Sequence, residues 1–98
     1  MKYILKLYVN GKNIKSLKAI KNLEKIIRES SPDEYELELV DVTEFPELAE
    51  SAGILETPAL TKNLPPPYRK IIGDLANSKQ VLFGLGMELF DSGSEQGS

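Results

Sequence analysis

Ninety-eight residues, 41% hydrophobic and 28% charged, describe one small domain with room for a single core. Twelve Lys and Arg against fifteen Asp and Glu leave a net charge of −3, the wrong sign for a dedicated nucleic-acid binder, and the absence of Cys and His removes disulfides, thiolate metal ligands, thiol redox chemistry and Ser/His or Cys/His nucleophiles. No run approaches the roughly 20 apolar residues of a membrane span, and the first residues read as a strand rather than a signal segment, so a cytoplasmic, non-enzymatic domain without cofactor is expected.

Residues 2–9 alternate with apolar groups on both faces, Tyr3, Leu5, Leu7 and Val9 against Ile4 and Tyr8, the pattern of an interior strand. Asn13 is placed to cap a helix over 14–30, in which Leu17, Ile20, Leu23, Ile26 and Ile27 recur at helical spacing opposite Lys15, Lys18, Lys21 and Lys25. The lysine face reads as solvated. Residues 30–33 end the helix, and 35–42 read as a second strand, with Tyr35, Leu37 and Leu39 alternating against Glu36 and Glu38. Those glutamates either guard a sheet edge from aggregation or select a basic partner strand. Strand, helix and strand form a βαβ unit with parallel strands and a right-handed crossover. Phe45-Pro46 opens a short helix through Ala52, and Gly53 is placed to end it. Glu44, Glu47, Glu50 and Glu56 surround that helix and read as a solvated face, not as catalytic carboxylates.

Residues 56–77 carry two incompatible readings. As helix, Tyr68, Ile71, Ile72 and Leu75 fall at i, i+3, i+4 and i+7 behind a Pro65-Pro66-Pro67 start. As sheet, 59–62 and 69–73 are short strands joined by a proline-rich turn. The ambiguity continues over 78–90, where Val81, Leu82, Leu85 and Leu89 make a helical stripe behind a cap at Asn77 or Ser78, while Val81-Leu82-Phe83 also suits a strand. Gly84 and Gly86 would each weaken an interior helix by about 1 kcal/mol. Residues 91–98 are polar and Gly/Ser-rich, and read as a flexible tail behind a domain over 1–90.

Thr57-Pro58, following Gly53-Ile54 and a βαβ half, resembles the cis-proline entry to the third strand of the thioredoxin superfamily, without that superfamily's Cys-x-x-Cys pair. A narrower pattern runs through Leu5-Lys6-Leu7-Tyr8-Val9 with Gly11, Val40-Asp41-Val42, Pro46-Glu47-Leu48-Ala49-Glu50 and Ile54-Leu55-Glu56-Thr57-Pro58-Ala59-Leu60. Above all it includes Leu64-Pro65-Pro66-Pro67-Tyr68-Arg69-Lys70-Ile71-Ile72-Gly73-Asp74-Leu75. Over residues 3–90 this resembles the KaiB family of circadian-clock proteins.

The resemblance implies two folds, a homotetrameric ground state ordered βαββααβ and a monomeric thioredoxin-like state ordered βαβαββα, of which the second is expected to dominate here. It implies binding to the ATPase ring of KaiC, capture of KaiA and competition with the histidine kinase SasA. The implied partner-binding residues are Lys6, Lys18, Arg69 and Lys70, with Glu36 and Glu38 on the second strand. The implied fold-switch positions are Tyr3, Pro58, Pro65, Pro66, Pro67, Gly84 and Gly86. This chain departs from the family pattern in reading Gly84-Leu85-Gly86 for Gly-Leu-Asp, and in placing Glu36 and Glu38 where clock members carry a small residue and a lysine. Those departures suit a second function class, a thioredoxin-like adaptor or stress-response module without a clock role.

Overall fold

The alternating first segment becomes the central strand of a four-stranded sheet, ordered β2-β1-β3-β4, in a computed structural model that describes residues 2–11, 13–30 and 34–86. The elements run β1 (Lys2–Val9), α1 (Ile14–Ser30), β2 (Glu34–Asp41), α2 (Pro46–Ser51), β3 (Ala59–Leu64), β4 (Arg69–Ile72) and α3 (Ser78–Leu85). This is the βαβαββα order. β2 pairs parallel with β1, and β3 and β4 are added antiparallel on the other side.

Being central, β1 buries both of its faces. Leu5, Leu7 and Val9 meet Leu60 of β3, the α1 residues Ala19, Leu23, Ile26 and Ile27, and Val81, Leu82 and Leu85 of α3. Tyr8 points to the opposite side, where Val40, Ala59 and Ile54 meet Ala49 of α2. Each fully buried Leu or Ile contributes roughly 1.5–3 kcal/mol relative to exposure, so the face shared by α1 and α3 carries most of the stability.

Leu17, expected in the α1 stripe, is instead half-exposed, and Ser16 and Ala19 take the innermost positions. Ser16 is tolerated there because its Oγ accepts the Asn10 N–H at 3.1 Å. Asn13 caps α1 as expected, its Oδ1 accepting the Lys15 N–H at 2.8 Å. Gly53, at φ 71°, follows the α2 cap.

The C-terminal half takes the sheet reading. The pleat splits the helical stripe: Ile71 packs against the core, whereas Tyr68 and Ile72 stay exposed. Gly73 at φ 126° and Leu75 at φ 62° then break any helix. They are held by the Gly73 N–H bonding to Pro58 O at 2.9 Å, the Asn22 amide bonding to Asp74 O at 2.7 Å, and the burial of Leu75. α3 begins at Asn77, whose side chain accepts the Gln80 N–H at 3.1 Å, and closes at Gly86 in the left-handed conformation, φ 74°. Gly86 is therefore a helix cap and not an interior residue, so the interior penalty falls on Gly84 alone. Of the 78–90 stripe only Leu89, and with it the tail 91–98, lies outside the described residues. Among the described residues no helix is long and apolar enough to cross a membrane.

Candidate partner-binding surface

Register decides which of the sequence candidates meet. Lys6 lies opposite Glu38 on one side and Thr61 on the other, and Thr61 lies opposite Lys70, so Lys6, Glu38 and Lys70 share one sheet face with Glu36. α2 covers only the end of that face near Tyr8, Val40 and Ala59. The open remainder carries two exposed ion pairs, Lys2 Nζ to Glu36 at 2.9 Å and Lys6 Nζ to Glu38 at 3.7 Å. Such pairs order a surface more than they stabilise it. Lys70 reaches past α2 to hydrogen-bond Gly53 O at 3.3 Å. Burial, with the Tyr68 hydroxyl and Glu38 nearby, pushes the Tyr8 phenol above its ordinary range. A hollow of about 240 Å³, lined by Lys6, Tyr8, Glu38, Leu48 and Asn63 among others, completes a mixed aromatic and charged surface.

Arg69 and Lys70, adjacent in sequence, are separated by the pleat. Arg69 lies opposite Lys62 on the α3 side of the sheet, and Lys18 stands exposed on α1, so neither joins the open face. Lys62 was not legible as a special residue. It is 2% exposed, has no acceptor among the described residues, and lies with its Nζ 3.4 Å from where a Cβ at Gly86 would stand. Burial, then the Arg69 charge, lowers its pKa from the usual lysine range.

The fold-switch candidates lie apart from the open face and from one another, Pro58 and Pro65 at opposite ends of β3. Tyr3 packs at the edge of the main core, and Pro58 is buried after a cis Thr57–Pro58 bond. Pro65, Pro66 and Pro67 form the β3–β4 turn, with cis bonds at Leu64–Pro65 and Pro66–Pro67. A Cβ on Gly84 would stand 2.9 Å from Ile71 Cδ1, the far end of a side chain that can rotate away. Gly84→Ala is therefore expected to stabilise α3 by up to about 1 kcal/mol, while Gly86→Ala, forced to a positive φ, costs roughly 1 kcal/mol. Urea midpoints of the two variants check the opposite signs.

At the other end of the sheet, Asp41 ties the loops together. Its Oδ1 accepts the Thr43 hydroxyl at 2.7 Å, the Thr43 N–H at 2.9 Å and the Gly11 N–H at 3.1 Å. The Thr43 side chain, and then its backbone, hold this carboxyl below the usual range. A depressed carboxylate contributes stability above its unfolded pKa and loses it as pH falls through the folded one. Thr43→Ala should raise the Asp41 midpoint in a carboxyl NMR titration, and an unchanged midpoint would show that the backbone bonds suffice.

The comparisons with known proteins bear on what this surface serves. The KaiB domain family model matches residues 6–87. Circadian clock protein KaiB3 of Synechocystis is 45% identical over 82 residues, 84% of this chain and 80% of that protein. The circadian clock oscillator protein KaiB of Nostoc punctiforme is 47% identical over 93 residues, 95% of this chain and 88% of that protein. Among solved structures, the N-terminal domain of Synechococcus elongatus SasA superposes with TM-score 0.71 at 21% identity, covering 88% of this chain and 85% of that one. Mitochondrial thioredoxin 3 of Saccharomyces cerevisiae gives 0.69 at 18%, covering 86% and 76%. These two likenesses show the thioredoxin-like fold; the sequence relatives show more, and on them the chain belongs to the KaiB family of circadian-clock proteins.

Proposed function

We propose that this chain is a non-enzymatic cytoplasmic clock regulator that docks, in its thioredoxin-like arrangement, on the ATPase ring of a KaiC-type protein and competes there with SasA. The observation that carries this reading is a KaiB-family sequence in the arrangement whose shape matches the SasA domain. Two chains of one shape can compete for one surface. Lys6, Lys70 and Tyr68 on the open sheet face supply the contact, and Lys18 and Arg69 steer the approach. Residues 1–90 form the working domain, with 91–98 as a tail.

In the same reading the C-terminal half also packs as helix, helix and strand in a homotetramer, and Tyr3, Pro58, Pro65, Pro66, Pro67, Gly84 and Gly86 set the balance between two packings a few kcal/mol apart. The Gly86 cap and the Asn77 cap favour the monomer. Capture of KaiA is the least supported part, because Glu36 and Glu38 stand where the family resemblance implies a small residue and a lysine. Those departures, with Gly86, favour a second reading, a thioredoxin-like adaptor or stress-response module acting outside a clock.

Overnight incubation with a KaiC-type ATPase and ATP, followed by size exclusion, is expected to give a complex from which the SasA N-terminal domain is displaced. No complex after that time would sink the clock reading and leave the adaptor.

A further inference from the structure

The five asparagines of the chain differ in what holds their side chains. Asn13 Oδ1 accepts the Lys15 N–H, the Asn22 amide donates to Asp74 O, Asn63 Oδ1 accepts the Thr61 hydroxyl, and Asn77 Oδ1 accepts the Gln80 N–H. Asn10 is exposed, and its carboxamide bonds to no described residue. The residue that follows differs as well: Ile14, Leu23, Leu64 and Ser78 follow the other four, and Gly11 follows Asn10. A side chain on the following residue crowds its backbone nitrogen, whereas glycine, without a Cβ, leaves that nitrogen free to reach the asparagine's own side chain. Asn10 is thus the asparagine best placed for ring closure onto the main chain.

The fold holds the other half of that reaction in check. The main chain of Asn10 is pinned by its N–H, which donates to Ser16 Oγ at 3.1 Å, and by its carbonyl, which accepts the Asn13 N–H at 3.1 Å. The Gly11 N–H must lose its proton before the nitrogen can attack, and it donates to Asp41 Oδ1 at 3.1 Å. That oxygen is itself fixed by the Thr43 hydroxyl and N–H. A hydrogen bond to an ionised carboxylate is among the stronger kinds, and a negative neighbour makes the amide a weaker acid. Gly11 stands at φ 53°, so the turn itself favours glycine there and keeps the Asn-Gly pair together.

We propose that Asn10-Gly11 is a site of covalent modification, at which Asn10 converts slowly to an isoaspartyl or aspartyl residue, and that Asp41 restrains the rate. With its proton lost to solvent base, the Gly11 nitrogen attacks Asn10 Cγ. The N–Cγ bond forms, the Cγ–Nδ2 bond breaks, and the side-chain nitrogen takes a proton from water and leaves as ammonia. Water then opens the resulting imide at either carbonyl. Each conversion consumes a water and releases an ammonia, with no oxidation or reduction. The product carries a new carboxylate near Asp41, and its isoaspartyl form routes the main chain through the side-chain carbon, lengthening the β1–α1 turn by a methylene. Both changes work against the Gly11–Asp41 bond, so conversion loosens the tie between the β1–α1 and β2–α2 loops. Older chains thereby become distinguishable, as substrates for enzymes that methylate isoaspartyl carboxylates. None of the residues placed on the open sheet face takes part in this chemistry, so docking on an ATPase ring stands or falls separately.

Incubation of the full chain in neutral buffer tests it, with the peptide containing residue 10 followed by mass spectrometry and isoaspartate counted by enzymatic methylation. Conversion should occur at residue 10 before any other asparagine, and more slowly in the folded chain than in urea. Asp41→Ala should accelerate it about tenfold in the folded protein, the effect of losing a hydrogen bond to a charged group, and should leave the rate in urea unchanged. Leu82→Ala, which weakens the core and leaves the loops intact, should keep the wild-type rate, so that faster conversion in Asp41→Ala reports the loop and not stability. Circular dichroism confirms that both variants are folded. An Asn10 amide that survives in the folded chain after the chain in urea has converted, an Asp41→Ala rate equal to wild type, or equal acceleration in Leu82→Ala would each overturn the proposal.

Discussion

Truncating Leu82 to Ala should lower the unfolding free energy by about 2–5 kcal/mol, a large part of the 5–15 kcal/mol typical of a small domain. Leu82 is 2% exposed and joins α3 to the β1–β3 side of the sheet. The loss should not be uniform along the chain. α3 and β4 form the margin of the molecule, attached through the β3–β4 ladder, the main core, and the Gly73-to-Pro58 and Asn22-to-Asp74 hydrogen bonds. Their opening requires less disruption than the βαβ half. Hydrogen exchange in Leu82→Ala should therefore quicken first at residues 69–72 and 78–85, with β1 and α1 retaining more protection. Leu23→Ala, in α1 and equally buried, is the control: it should reduce protection everywhere. Equal loss across the chain in both variants would show that the C-terminal half has no independent opening.

Replacing Lys62 with Met should stabilise the protein, the reverse of the usual outcome for a buried position. Methionine keeps the aliphatic stem that packs beside α3 and removes an ammonium without an acceptor among the described residues. Desolvation disfavours the charged form of the ammonium, and Arg69 directly opposite adds like-charge repulsion. Proximity to the C-terminal end of α3 offsets part of this through the helix dipole, and the shift still runs against the charged form. The pH dependence follows from the sign of the shift. Because the folded pKa lies below the unfolded one, the penalty is fully present at neutral pH and is relieved as pH rises through the folded pKa towards the ordinary lysine range. Wild-type stability should thus climb on the alkaline side, and Lys62→Met should flatten that climb. The gain should shrink in an Arg69→Ala background, where part of the repulsion is already gone. A destabilised Lys62→Met would mean that the ammonium has a partner in solution.

Much of the first half was legible because local rules agree there. Apolar groups on both faces of residues 2–9 announce a central strand, Asn13 and Gly53 mark helix boundaries, and one helix between two strands leaves little topological choice. Leu17 was misplaced because helical spacing alone does not say which edge of a wide stripe faces inward. In the second half, short apolar runs fit either period, and the decision rests on contacts distant in sequence. Ile71 reaches the core, Pro58 accepts the Gly73 N–H, and Asn22 holds Asp74. Of the surface, the residue types were readable and their grouping was not. Lys6, Glu38 and Lys70 meet only through strand register, whereas Arg69 and Lys70 part because neighbours on a strand face opposite ways. Lys62 escaped notice because a lysine in a polar-looking strand is ordinarily exposed.

Docking on a KaiC-type ring in the strand, strand, helix arrangement is the claim on which the functional reading turns. Backbone NMR of isotopically labelled chain bound to a perdeuterated KaiC-type ATPase with ATP tests it directly. The reading predicts extended secondary shifts over 59–64 and 69–72, helical shifts over 78–85, and perturbations centred on Lys6, Tyr68 and Lys70. Helical shifts across 69–72 in the complex, or perturbations confined to α1, would contradict it.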